Sequence, residues 1–343
     1  MAIRLDKPNS PWGTGGAIQK LQMTTIRNKI GTRLLTAKRL LSLIIVGSFF
    51  INNVSLFAAI QQTVQAPSIQ KQLAELEASS KGRIGVYVIN TVNNTHLGYR
   101  ANERFPTGCT SKVIGIATIL SKSMNDDALL SQKINYSKKD LTNWNPITEK
   151  HLSSGMTVEQ LCAASISYSD NTAMNLLVKQ MGGLNQMTLF AHSLGNTSFR
   201  QDNGWPEEAY SGGKGDLKDS STPKDMANSL QKLAFTDVLA KPQREMLISW
   251  LKANTTGDFR IRAGLPKGWA VAEKTGTGGA YGTTNDLGII WPPKCAPIIM
   301  AIYYTNDAKG AIKREDIVAS ATQLLISKLA QSDQCIKKIL NRV

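Results

Sequence analysis

Apolar positions recur along this chain with two different periods, and the places where one gives way to the other outline an architecture. Gln70–Ser79 spaces Leu73 and Leu76 on one face of an amphipathic helix. Arg83-Ile-Gly-Val-Tyr-Val-Ile-Asn90 then alternates, Asn93-Asn94 is a turn signal, and His96–Tyr99 resumes, which together predict a β-hairpin. From Arg100 to about Leu251 the helical period takes over, with helices expected over 112–124, 157–165, 172–181, 187–194, 222–234 and 241–252. Near Trp269-Ala-Val-Ala the period returns to two; 286–291 and 296–305 read as apolar strands, and 317–329 as a closing helix. Strands at both ends with helices between them imply an α+β fold, its sheet drawn from both ends of the chain around an inserted helical domain. Between Arg200 and Ser221 neither period holds, and glycines cluster at Ser211-Gly-Gly-Lys-Gly215, so this stretch is expected to be a long ordered loop or a lid.

The first 60 residues follow a different logic. Residues 1–40 hold eight Lys or Arg against one acid, Asp6, and no charge falls between Leu40 and Gln70. The apolar run Leu40–Phe50 behind that basic segment reads as an export signal, with Met23 as a possible true start and cleavage near Ala59. An uncleaved anchor over Leu40–Ile60 is the competing reading. Either places the folded part outside the cytoplasm, periplasmic or secreted.

Composition narrows the rest. The chain has 343 residues, 42% of them hydrophobic, enough for a sizeable core. Its net charge of +15 sits in large part in the leader, and no helix-turn-helix or RNA-binding pattern accompanies it, so nucleic acid is not an expected partner. The membrane enters only through an uncleaved leader, and a monomer is expected. Three His and four Cys are scattered without ligand spacing, which predicts no metal and no cofactor. Cys109, Cys162, Cys295 and Cys335 form no recognisable disulfide framework, and their connectivity cannot be deduced from spacing.

Three short motifs carry the candidate chemistry. Phe105-Pro-Thr-Gly-Cys-Thr-Ser-Lys112 sets a thiol and an ammonium on adjacent turns at the start of a long apolar helix, where helix dipole and lysine both favour thiolate. Alone, Cys109-x-x-Lys112 could equally be a small core cysteine followed by a surface lysine. Tyr168-Ser-Asp-Asn171 opens a helix and could simply cap it. Lys274-Thr-Gly-Thr-Gly-Gly279 closes a strand and alone is an ordinary glycine-rich turn.

In this order and at these separations, C-x-x-K, S-D-N and K-T-G resemble the three elements of serine penicillin-recognising enzymes. From about Gln70 to Ala330 the chain is similar to class A β-lactamases, above all to their carbapenem-hydrolysing branch. Supporting stretches are Trp144-Asn-Pro-Ile-Thr-Glu-Lys150, Leu161-Cys-Ala-Ala164, Arg260-Ile-Arg262 and Glu273–Asp286. The resemblance implies a β-lactamase/transpeptidase-like fold: an antiparallel five-stranded sheet from 68–100 plus 253–335, flanked by helices, and an all-helical domain over 101–252. It also implies roles. Lys112 would accept or relay the nucleophile's proton, and Ser169 would pass one to the departing lactam nitrogen. Asn171 would hold the acyl amide, Lys274, Thr275 and Thr277 the substrate carboxylate with Arg260 behind them, and Trp144 would wall the cleft. The N–H groups of Cys109 and Thr277 would form the oxyanion hole.

Two departures stand out. Cys109 occupies the position of the family's nucleophilic serine. The family's loop glutamate that activates water is missing, because Pro206 follows Trp205 where that base is expected; a shifted loop could let Glu207 serve. The partner is then a small β-lactam or related amide. Three activities fit: a β-lactam hydrolase that acylates on Cys109 and deacylates poorly, an acyltransferase or amidase acting on a peptidoglycan-like substrate, and a catalytically silent binder.

Overall fold

The structure is a computed structural model and describes residues 67–341 apart from Lys214. The leader assigned to 1–60 lies outside the described residues.

The Ser68 side chain accepts from Lys71 N and starts α1, Ile69–Ser80, which buries Ile69 and Leu73 and stops at Lys81 in a left-handed conformation. The predicted hairpin follows as β1, Arg83–Asn90, and β2, Thr95–Tyr99, with Val86 opposite Tyr99. A two-residue strand β3, Phe105–Pro106, leads through a 3-10 turn, Gly108–Ser111, into α2, Lys112–Ser123. Residues 112–120 of α2 are all buried, so this helix is apolar on every side because neighbours cover every side.

The short strands β4, Lys133–Ile134, and β5, Met156–Thr157, pair with each other. α3, Val158–Ser167, begins in a Thr157/Gln160 capping box, and α4, Asn171–Met181, is capped by Asp170 and ends at the left-handed Gly182. α5, Asn185–Ser193, precedes the long loop, from which β6, Ser220–Ser221, pairs with β3. α6, Pro223–Phe235, carries Pro at its first position behind the Thr222 cap; α7 spans Lys241–Lys252 and α8 Ile261–Gly264. The chain returns to the sheet as β7, Ala270–Gly278, β8, Thr283–Trp291, and β9, Ile298–Thr305, and closes with α9, Glu315–Ser332, and α10, Gln334–Leu340.

The five long strands form one antiparallel sheet in the order β2-β1-β9-β8-β7. Its two faces feed separate apolar clusters. Val86, Val88, Met300 and Ile302 pack with α1 and α9, while Tyr87, Ile89, Ala301 and Tyr303 pack with α2, α6 and the other central helices. Burial on both faces explains why β1 is interior along seven of its eight residues. It also explains why β8 begins three residues before the expected Asp286: Thr283, Thr284 and Asn285 are polar but fully buried, and pair with the end of β7. α10 escaped the sequence pattern. It is fixed by Asp333, which accepts from Cys335 N and Ile336 N, and by a disulfide between Cys295 and Cys335, whose Cα atoms lie 5.9 Å apart.

Candidate active site

The K-T-G strand, the start of α2 and the S-D-N turn converge on a cavity of about 410 Å³. Cys109, Trp144, Ser169, Asn171, Arg260, Thr275 and Thr277 all line it, while Lys112 and Lys274 reach it from full burial behind. All nine residues expected at the site are therefore brought together.

Gly108 sets up the nucleophile position. Its φ of +50° belongs to the left-handed region, and a Cβ there would stand 3.1 Å from the Thr277 backbone nitrogen, so a side chain would crowd the proposed oxyanion donor. The turn it begins leaves Cys109 half-buried with Sγ 3.9 Å from Asn171 Oδ1 and 3.6 Å from Glu208 Oε1.

Lys112, one turn on from Cys109 and the first residue of α2, points inward. Its Nζ donates to Ser169 O at 2.9 Å, Asp170 O at 3.3 Å and Asn171 Oδ1 at 2.7 Å, and stands 5.3 Å from the centre of the Trp205 ring. Three donors meet three acceptors, and the thiol is not among them. Asn171, so held, passes the constraint on through Nδ2 to Asn143 Oδ1 at 3.0 Å. Asp170 is wholly structural: it caps α4 at Ala173 N and takes hydrogen bonds from Ile147 N and from Thr148, stapling the Trp144 loop to the helix. Trp144 stands on that loop 52% exposed, its Nε1 donating to Tyr168 O.

Ser169 sits at φ +58°, a conformation uncommon outside glycine, and its Oγ accepts from Lys274 Nζ at 2.9 Å. Its own hydroxyl proton remains free to donate into the cavity. Arg260 is buried along β7, donating to Gly276 O at 2.8 Å, Asn285 O at 2.7 Å and Thr277 Oγ1 at 2.6 Å, with Glu315 Oε1 3.3 Å away. The far end of the cavity is thus positively charged, as an anion site requires.

Sequence reasoning missed Glu208. Glu207, the candidate replacement for the absent base, is exposed, whereas Glu208 is 2% exposed and carries its carboxyl to the thiol. The cause lies in the loop. Asn175 on α4 grips the Trp205 backbone from both sides, donating to its O and accepting from its N, and buries the indole against Lys112. Glu208 N donates to Gly204 O, and the following 3-10 turn, Glu207–Tyr210, sets Glu208 three residues after Trp205 on the same inward side. Asp219 ties the far end, accepting from Gln201 Nε2, Asp202 N and Asn203 N. The stretch is an anchored loop.

Charges in this pocket are strongly coupled. Burial pushes the Cys109 thiol up, but Lys112 and Lys274, with hydrogen bonds from Ser169 and Glu208, outweigh it and bring the thiol down to about 7. Burial, and then the charge of Cys109, raise the Glu208 carboxyl well above the carboxylate range, against a smaller pull from Lys112. Burial lowers Lys274 to about 7, with Cys109 working against it and Lys112 and Arg260 adding to it. The thiol is thus drawn down and the carboxyl pushed up, which moves the two groups towards each other. Among the described residues no cluster of His, Cys, Asp or Glu could hold a metal ion.

Known proteins resemble this chain over most of its described length. A family model described as "Beta-lactamase enzyme family" matches residues 68–332. The chain is 47% identical over 270 residues to β-lactamase Toho-1 of Escherichia coli, covering 79% of this chain and 92% of that one. It is 45% identical over 267 residues to a β-lactamase of Proteus vulgaris, covering 78% and 98%. Among solved structures, a β-lactamase from Desulfarculus baarsii superposes with a TM-score of 0.74 at 40% identity, covering 76% of this chain and 97% of that one. A variant of the last common ancestor of Gram-negative class A β-lactamases reaches 0.73 at 42% identity, with the same coverage.

Proposed function

The chain belongs to the β-lactamase enzyme family, class A, and on that premise we propose that it opens β-lactam rings through a Cys109 thioester, with Glu208 in place of the missing loop base. The observation that carries this is the 3.6 Å approach of Cys109 Sγ to Glu208 Oε1 inside the Lys112, Ser169 and Lys274 cluster.

The substrate carboxylate binds at Lys274, Thr275 and Thr277, with Arg260 lending charge behind, and its acyl amide meets Asn171. Cys109 sulfur, its proton held on Glu208, attacks the lactam carbonyl, and the developing oxyanion turns to the N–H groups of Cys109 and Thr277, a donor pair of which each member is worth about 3 kcal/mol. The C–N bond breaks and the nitrogen takes a proton from Ser169, which Lys274 resupplies. Lys112 acts as a fixed positive charge that favours thiolate and orients Asn171, since its three hydrogen bonds are spent elsewhere. The thioester then awaits water. Glu208 can take that water's proton only when ionised, and burial holds its carboxyl above the usual carboxylate range in the thioester too, so release of the acyl group is slow where the carboxyl is protonated and speeds up as pH rises through its titration. A catalytically silent binder rests on the absence of both the serine and the loop glutamate, and Glu208 beside the thiol answers only the second of these.

Export through the 1–60 leader to the periplasm or medium belongs to the same reading, as does action as a monomer and a role in antibiotic resistance. The test is peptide mapping of protein quenched in acid after mixing with a penicillin or a carbapenem. The acyl group is expected on Cys109; an acyl group on Ser111 or Ser169 overturns the assignment.

A further inference from the structure

The pairing of Cys109 with Glu208 suits a second electrophile besides a lactam. We propose that Cys109 is a site of reversible oxidation by hydrogen peroxide, the Glu208 carboxyl donating the proton that the leaving hydroxide needs. The inference rests on the reading above that Cys109 is the reactive nucleophile of this cleft.

Three features of the geometry carry it. Cys109 lines the cavity and is only half-buried. Glu208 stands 3.6 Å from that sulfur through Oε1, while its Oε2 is buried without a hydrogen-bond partner. The charged groups facing the sulfur are Lys112 from α2, Lys274 from β7 and Glu208 from the loop turn, with the Ser169 hydroxyl beside them. The two lysines favour the thiolate that peroxide requires, and the carboxyl supplies the acid.

The step balances. A sulfur lone pair attacks one peroxide oxygen, the O–O bond breaks, and the departing hydroxide takes the Glu208 proton to leave as water. Sulfur is oxidised to sulfenic acid and the peroxide is reduced. A small thiol then attacks the sulfenic sulfur, expelling water and forming a mixed disulfide, and a second thiol releases Cys109. No cysteine of the chain competes for the sulfenic acid: Cys162 is sealed in the helical core, and Cys295 and Cys335 are bonded to each other. Oxidation removes the sulfur lone pair that attacks the lactam, so the oxidised protein is silent towards β-lactams until a thiol restores it.

The experiment treats the reduced full-length protein with hydrogen peroxide in the presence of dimedone and maps the trapped sulfenic acid. Label is expected on Cys109 and absent from Cys162, its rate rising with pH as the thiolate forms, falling again where Glu208 loses its proton, and blocked by prior acylation with a penicillin. Glu208→Gln is expected to slow labelling by roughly 10²-fold; the pH dependence of the unaltered protein tests the same chemistry without relying on that variant. Labelling no faster than that of free cysteine, or a rate indifferent to Glu208→Gln, overturns the inference. A protein that acylates on Cys109 yet resists peroxide overturns this inference and leaves the acylation reading standing. A protein oxidised as described that never acylates overturns the acylation reading instead.

Discussion

Cys109 and Cys162 are both unpaired, both lie in the helical part of the chain, and both have lost most of their contact with water, yet they are opposite kinds of sulfur. Cys162 sits in mid-α3 among Leu161, Ile166 and their neighbours, where burial, with Glu159 adding to it, drives its thiol far up. Cys109 sits in a turn at the head of α2, where two buried lysines outweigh the same burial and draw the thiol down to about 7. The lesson is that desolvation alone makes a cysteine inert. Reactivity comes from cations that the fold has itself desolvated and aimed.

The most severe way to break this contrast is to remove each sulfur in turn. Cys109→Ala is expected to abolish the penicillin adduct in intact-mass spectra, whereas Cys162→Ala keeps the adduct. Next in size is Glu208→Gln, which slows release of the adduct by roughly 10²–10⁴-fold, measured by chasing acylated protein after removing free substrate. Smaller again is Lys274→Met. Without that cation the thiol rises, so the pH midpoint of acylation moves up by about one unit or more, readable from initial adduct formation across a pH series. In the unaltered protein Lys274 itself loses charge as pH rises through about 7, so the apparent KM for a carboxylate-bearing lactam increases on that side. The smallest effect is on stability: Cys162→Ala leaves a small void in the helical core and costs about 1 kcal/mol in denaturant melts.

Much of this was legible in the chain. The hairpin at Arg83–Tyr99, the helices from α2 to α7 and the return to strands after Trp269 follow from apolar spacing, because each element buries a continuous face. Cys109, Lys112, Ser169 and Lys274 stood out through motifs whose spacing is fixed by local turns. Glu208 did not, because its place depends on contacts distant in sequence: Asn175 gripping Trp205, and Asp219 tying the loop behind it. The one local signal was its position three residues after a large apolar side chain, within a single turn. The partners of Lys112 were hidden for a related reason. Its proximity to Cys109 is local, but the carbonyls of Ser169 and Asp170 that occupy its N–H groups come from another element. The Cys295–Cys335 link is likewise a contact between the β8–β9 turn and a terminal helix whose pattern was too short to read.

The pair of sulfur and carboxyl is the centre of the account, and its most direct test is the lifetime of the penicillin adduct followed by intact mass from neutral to alkaline pH. The account predicts a long-lived adduct on Cys109 near pH 7 whose loss accelerates as pH rises, and a Glu208→Gln protein in which that acceleration disappears. An adduct lifetime that ignores pH over this range, or that Glu208→Gln leaves unchanged, would contradict it.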